Sequence, residues 1–303
     1  MKIKNENNTD ITHSNIDSNN NKLKDIISKI NNQNSKEIVY TIKGLKDGLI
    51  CLTTREKTYI IKKNSLIKVL PGYRAIILLL DNGNVLSSKN TKVLIYNNNC
   101  ENIIKEIEIG EFAREIIELK QYDNKILFLS ENSTLKLIEN DEHRIILDDN
   151  KKPICSIIEV SSNVIVIIFK DTSIMFFDLK NLVKISELIL QNQIKNIDNI
   201  DILCINGNYL YISLRQSIFK IDIIKKEPIS KYNLTLSKIY MFNNNIFGIY
   251  KNFIYRITDK DKTINSNLLY QFKKEKNIYC LYQIEEKKLM ISTKEGIQIY
   301  DFK

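Results

Sequence analysis

Short runs rich in Ile recur from Ile38 to Asp301, separated by tight polar turns, and the turns step along the chain at a nearly even spacing. Breakers are scarce, with 8 Gly and 3 Pro in 303 residues. Together these features predict an all-β fold, a seven-bladed β-propeller of four-stranded antiparallel blades. The length suits one such domain, and 43% hydrophobic residues suffice for its core. Asn takes over the turns that Gly would otherwise make, because it tolerates the left-handed backbone better than other residues with a Cβ.

Taken in order, residues 1–21 are rich in Asn, Ser, Thr and Asp with no apolar periodicity, and are expected to be a disordered tail. Residues 22–303 read as a single propeller domain. The first turn of each unit is Asp47-Gly48, Asn82-Gly83, Asp123-Asn124, Ser162-Asn163, Asn206-Gly207, Asn244-Asn245 and Glu286-Lys287, so the units step by 35 to 44 residues. Apolar residues flank each pair, as in a hairpin. Six four-strand units run from about Ile38 to Lys274. The seventh provides Tyr279–Ile284, Leu289–Ser292 and Ile297–Asp301 and lacks an outer strand. Leu23–Ile30 resembles Leu182–Ile189, an outer strand elsewhere, so residues 22–31 are expected to complete the last blade and close the sheet edge. An amphipathic helix on the outside is the alternative for this segment.

A second turn repeats more sharply: Arg55-Glu56, Lys89-Asn90, Ser130-Glu131, Lys170-Asp171, Arg215-Gln216, Lys251-Asn252 and Lys294-Glu295. A strand of fixed pattern follows it, as in Ile174–Asp178, Ile218–Asp222 and Ile297–Asp301. Here the chain resembles the WD-repeat family, whose third strand ends in Trp-Asp after a turn carrying Asp. Phe177-Asp178 and Tyr300-Asp301 stand in for the dipeptide, and Asp171 for the turn aspartate. The resemblance spans roughly residues 38–303. The chain has no Trp and no Gly-His pair, so the family's buried Asp-His-Ser/Thr-Trp network cannot form, and apolar packing between sheets must hold the blades.

The sequence offers little for catalysis, and a non-enzymatic protein is expected. Its two histidines, His13 and His143, lie far from any plausible partner. There is no metal-ligand spacing, phosphate-cradling Gly loop or Gly-x-Ser-x-Gly elbow, so no catalytic residue, metal or cofactor is assigned and no small-molecule substrate is expected. The pairs Asp148-Asp149 and Glu285-Glu286 fall at turns and read as solvated charge. Five dispersed cysteines without a CxxC pair read as reduced and mostly buried. With no secretory segment and no run long enough to span a bilayer, a soluble protein of the cytoplasm or nucleus is expected.

Charge carries more information. The formal net charge is +9, unevenly spread: residues 110–150 hold ten acidic against five basic side chains, and residues 235–274 hold two against seven. This predicts an acidic arc and a basic arc. In a WD-type strand order, the second-to-third-strand turns share one side with the connections between blades. That side would carry Arg55, Lys89, Lys170, Arg215, Lys251 and Lys294, joined by Arg74, Arg114, Lys151, Lys152 and Lys238 from the connections. The six turn residues with Arg74 and Arg114 are the candidate partner-binding residues. The function expected is a protein–protein interaction scaffold, a subunit of a multiprotein assembly holding an acidic or phosphorylated segment on its basic face. The alternative is a propeller binding RNA or another nucleic acid, which the pI near 9.0 allows. It would need exposed aromatics among the basic residues, whereas the Tyr and Phe mostly fall within strands.

Overall fold

The computed structural model describes residues 23–31, 38–45, 49–54, 56–62, 65–71, 77–98, 100–119, 125–139, 142–148, 152–190, 200–206, 208–214, 217–233, 236, 238–242, 245–260, 263–272, 277–285 and 287–301. Alternation of apolar and polar residues, with turns every five to eight residues, gives antiparallel sheets whose strands follow one another in the order of the chain. Sheets of this kind cover residues 41–71, 77–108, 113–148, 154–189, 200–233 and 238–271, each with four strands, and residues 278–301 with three. They are blades 1 to 7 of an all-β, seven-bladed β-propeller.

The chain divides into two compact units: residues 1–73 with 279–301, and residues 74–278 with 302–303. In the second unit the first strands of successive blades, Ile77–Leu79, Ala113–Leu119, Ile154–Ser161, Ile200–Asn206 and Lys238–Phe242, lie side by side. In blade 4, burial is highest in the two middle strands and lowest in the outermost. The second strand of blade 4, Val164–Phe169, is buried along almost its whole length. The fourth, Val183–Ile189, is half-buried or exposed throughout.

Apolar clusters fill each seam of this unit. Leu86, Val93 and Ile95 of blade 2 meet Ile116, Ile126 and Phe128 of blade 3. Leu127, Leu129 and Leu137 of blade 3 meet Ile165, Ile167 and Phe169 of blade 4. Ile168 and Phe176 of blade 4 meet Leu210 and Phe219 of blade 5, and Tyr211 and Ile218 of blade 5 meet Ile239, Ile246 and Ile257 of blade 6. At the last seam Gly248 is required by space, since a Cβ would press on Leu236 and Ile257. The expectation that apolar packing holds the blades is met.

The first unit joins blades 1 and 7. Ser292 Oγ donates to the Val39 carbonyl at 2.6 Å, and the rings of Tyr40 and Tyr279 meet edge to face, 5.7 Å between centroids. A Cβ on Gly44 would overlap the Tyr282 ring. Residues 23–31 also belong here, but not as the expected fourth strand of blade 7: they form a helix. Leu23, Ile27 and Ile30 are buried on one side, the i, i+4, i+7 spacing of a helical stripe, while Lys24, Asp25, Ser28 and Lys29 are exposed. A strand could not place those three residues on one face, because Leu23 and Ile27 are of one parity and Ile30 of the other. The helix still braces the last strand, Gly296–Asp301. Asn31 Nδ2 donates to the Ile297 carbonyl at 3.1 Å, and Ile297 N–H donates to Asn31 Oδ1 at 3.1 Å. One amide thereby supplies the donor and acceptor that a neighbouring strand would have offered. The contact needs Gly296, at φ 113°, since Asn31 Oδ1 occupies the space of its absent Cβ. The expected disordered tail, residues 1–21, lies outside the described residues.

Candidate functional site

The turns between second and third strands are built by side-chain oxygens. In blade 1, Thr54 Oγ1 accepts the N–H groups of Glu56 and Lys57 and donates to the Lys57 carbonyl at 3.0 Å. Thr293 closes the blade 7 turn similarly, accepting Glu295 N–H at 3.2 Å. In blade 4, Asp171 Oδ1 accepts Ser173 N–H at 2.9 Å, the capping aspartate expected from the sequence. Asn90, Ser133, Thr172 and Lys251 take left-handed backbone conformations at these turns, with φ from 52° to 71°. With the backbone closed by its own neighbours, the side chains of Lys89, Lys251 and Lys294 are left to solvent.

Antiparallel order places the second-to-third-strand turns at the same end of each sheet as the connections between blades. Bonds in the second unit agree: Glu131 N–H donates to the Phe112 carbonyl, and Lys170 N–H to the Pro153 carbonyl. At these turns Lys89 and Lys251 are exposed and Lys170 is half-buried. The Lys251 ammonium lies 5.5 Å from the centre of the Tyr250 ring. Lys294 is exposed at the corresponding turn of blade 7, in the first unit. Arg55, Arg74, Lys151 and Arg215 lie outside the described residues.

Arg114 differs from the rest. It stands on the first strand of blade 3, and its Nη1 donates to the Ile154 carbonyl of blade 4 at 3.0 Å. Nearby, Lys152 Nζ is 2.7 Å from Glu187 and 3.6 Å from Asp171, with Lys184 Nζ 3.0 Å from the other Glu187 oxygen. Hydrogen bonds from Lys152 and Lys184 hold the Glu187 carboxyl below its ordinary range. Burial pushes Asp171 up, but the Ser173 hydroxyl and N–H, with Lys152, outweigh it and leave that carboxyl low. Beneath them the buried Cys155 thiol is pushed up by burial, against the opposing pull of Arg114 and Lys170.

Part of the acidic surplus of blade 3 is spent inside the fold. Glu118, buried, accepts Asp81 N–H from blade 2 through both oxygens, at 2.9 and 3.0 Å. Glu115 accepts from Ser156 Oγ at 2.6 Å and from Ile157 N–H at 3.1 Å, in blade 4. Glu111 pairs at 2.6 Å with Lys136, which also donates to the Ile109 carbonyl. These three carboxylates tie strands and blades together, while Glu131, Glu142 and Asp148 are exposed. Composition alone could not separate the two uses. A readable signal did exist: the bonded pairs from Glu118 to Asp81, Arg114 to Ile154 and Glu115 to Ser156 are 37, 40 and 41 residues apart, about one repeat.

Among the described residues no group of three or more His, Cys, Asp or Glu side chains could hold a metal ion, and no helix is long and apolar enough to cross a membrane. His143 is exposed on the outer strand Glu142–Asp148. Cys51, Cys100, Cys155 and Cys280 are free thiols, all buried. The aspartates ending the third strands have a local role. Asp178 Oδ1 accepts the N–H groups of Lys180 and Asn181, and Asp222 Oδ1 those of Ile224 and Lys225, which starts the turn into the fourth strand. No family model matches the sequence and no curated protein is significantly similar to it, so the fold and these side chains are what its function has to be read from.

Proposed function

We propose that the chain is a non-catalytic scaffold, a WD-repeat-like propeller subunit of a multiprotein assembly that holds an acidic segment of a partner protein on its basic, turn-bearing side. The observation that carries this reading is the recurrence of Lys89, Lys170 and Lys251 at one turn of three blades within a single compact unit. Among the described residues none of the three has a carboxylate within ion-pair distance, whereas Lys92, Lys125, Lys136 and Lys152 each do. Cations left without a carboxylate partner at equivalent positions steer and hold an anionic surface. Arg55, Arg74, Arg215 and Lys294 extend the same pattern by their sequence positions. The aspartates ending the third strands support the kinship to WD repeats.

The test reverses charge at three positions, Lys89→Glu, Lys170→Glu and Lys251→Glu together. Co-purification of partners from the native cell should be lost while the circular dichroism spectrum and melting temperature stay as they were. Undiminished co-purification with the triple variant would overturn the reading.

A further inference from the structure

Two of the sequence-derived cations converge on one short connection between blades 3 and 4. Arg114 Nη1 bonds the Ile154 carbonyl at 3.0 Å, and Lys170 N–H bonds the Pro153 carbonyl at 2.9 Å, one peptide unit away. The two side chains therefore leave neighbouring points of the same seam. Arg114 is exposed and uses one of its five N–H donors in this bond, and Lys170 is half-buried with no carboxylate within ion-pair distance among the described residues. Lys152, from the same connection, adds a third cation whose charge is already balanced by Glu187 and Asp171. A guanidinium and a point-charge ammonium at one seam, both acting on the Cys155 thiol, are the pairing that suits a compact dianion.

The flanking carboxylates decide what kind of dianion. Asp171 adjoins Lys170 in sequence and is half-exposed, and Glu187 stands across Lys152. A nucleic-acid strand would carry its regularly spaced phosphates past these two negative groups and be repelled there. A single phosphate on a peptide needs only one point of contact, between the two cations. We propose that Arg114 and Lys170 form a binding notch for a phosphoserine or phosphothreonine of the partner segment. This rests on the scaffold reading and names the group that the scaffold grips.

The probe is a fluorescein-labelled peptide, Gly-Ala-Ala-phosphoserine-Ala-Ala-Gly, with its unphosphorylated counterpart and an oligouridine RNA as comparison, read by fluorescence anisotropy with the full chain. The phosphopeptide should bind at least about tenfold tighter than the unphosphorylated form, as expected for charge-assisted bonds. Arg114→Gln and Lys170→Gln should each weaken it by about tenfold. Arg114→Lys should recover part of that loss, and Lys225→Gln, at the exposed turn between the third and fourth strands of blade 5, should change nothing. Gln at 114 retains a donor for the Ile154 carbonyl, and an unchanged melting temperature would show that the fold survives. Equal binding of the two peptides, insensitivity to both Gln variants, or RNA binding as tight as the phosphopeptide would each overturn the notch. If the phosphopeptide fails while the triple reversal still abolishes co-purification, the notch falls and the scaffold stands.

Discussion

The seams on either side of blade 3 and the seam between blades 5 and 6 solve one problem in different ways. All three have apolar clusters, but the first strand of blade 3 also reaches out with charge: Glu118 to blade 2, and Arg114 and Glu115 to blade 4. At the other seam, Tyr211 is buried among Ile239, Ile246 and Ile257, and Gly248 lets Leu236 close on the sheet. A chain without tryptophan can therefore join its blades by bonding carboxylates to backbone N–H groups of the next blade, or by fitting an aromatic ring into an aliphatic wall. The first way is sensitive to the loss of an acceptor, the second to a change in volume.

The largest effect is expected at the aliphatic seam. Tyr211→Ala should cost about 3–5 kcal/mol, by analogy with other large core truncations, read from urea denaturation. At the charged seam Glu118→Ala strands the Asp81 N–H and should cost about 1–3 kcal/mol, whereas Glu118→Gln keeps an acceptor and should cost less. If the Gln variant is as unstable as the Ala variant, charge rather than hydrogen bonding holds that seam. A smaller effect separates the two regions by pH. Glu187, held below its ordinary range by Lys152 and Lys184, stabilises the fold above that range, and the stabilisation is lost as pH falls through the depressed value. Melting temperatures of the Glu187→Gln variant should accordingly fall less between neutral and acid pH than those of the parent. The smallest change lies outside both seams: Leu182, exposed at φ 55°, should gain about 1 kcal/mol on replacement by Asn, seen as a modest rise in melting temperature.

The sequence shows the repeat because the features that define it are local. Ile174–Asp178 and Ile218–Asp222 lie within observed strands, and Asp178 and Asp222 act within three residues of themselves. Residues 23–31 were harder to read. Outer strands such as Val183–Ile189 are half-exposed on both faces, lose strict alternation, and so can carry the same letters as a short amphipathic helix. The 23, 27, 30 spacing was the better guide than the likeness to another strand. Of the candidate site, the turn lysines 89, 170, 251 and 294 fall at the expected turns, because turn position follows from strand order. That Arg114 bonds across a seam, and that Lys152 is occupied by Glu187, depends on side chains about one repeat apart and was not legible from composition.

The amide of Asn31 bonds a residue 266 positions later in the chain. During synthesis, everything between residues 74 and 278 emerges before Ile297 does, and that stretch holds all but two residues of the second unit. The unit that contains Asn31 is complete only once the strand Gly296–Asp301 has been made, so the Asn31 bonds to Ile297 form late. Long-range closure of this kind is slow, because the loop entropy is lost before any contact repays it. Closure of this unit is thus timed by the strand that carries Ile297, and the interval before it arrives is when a chaperone would be needed most.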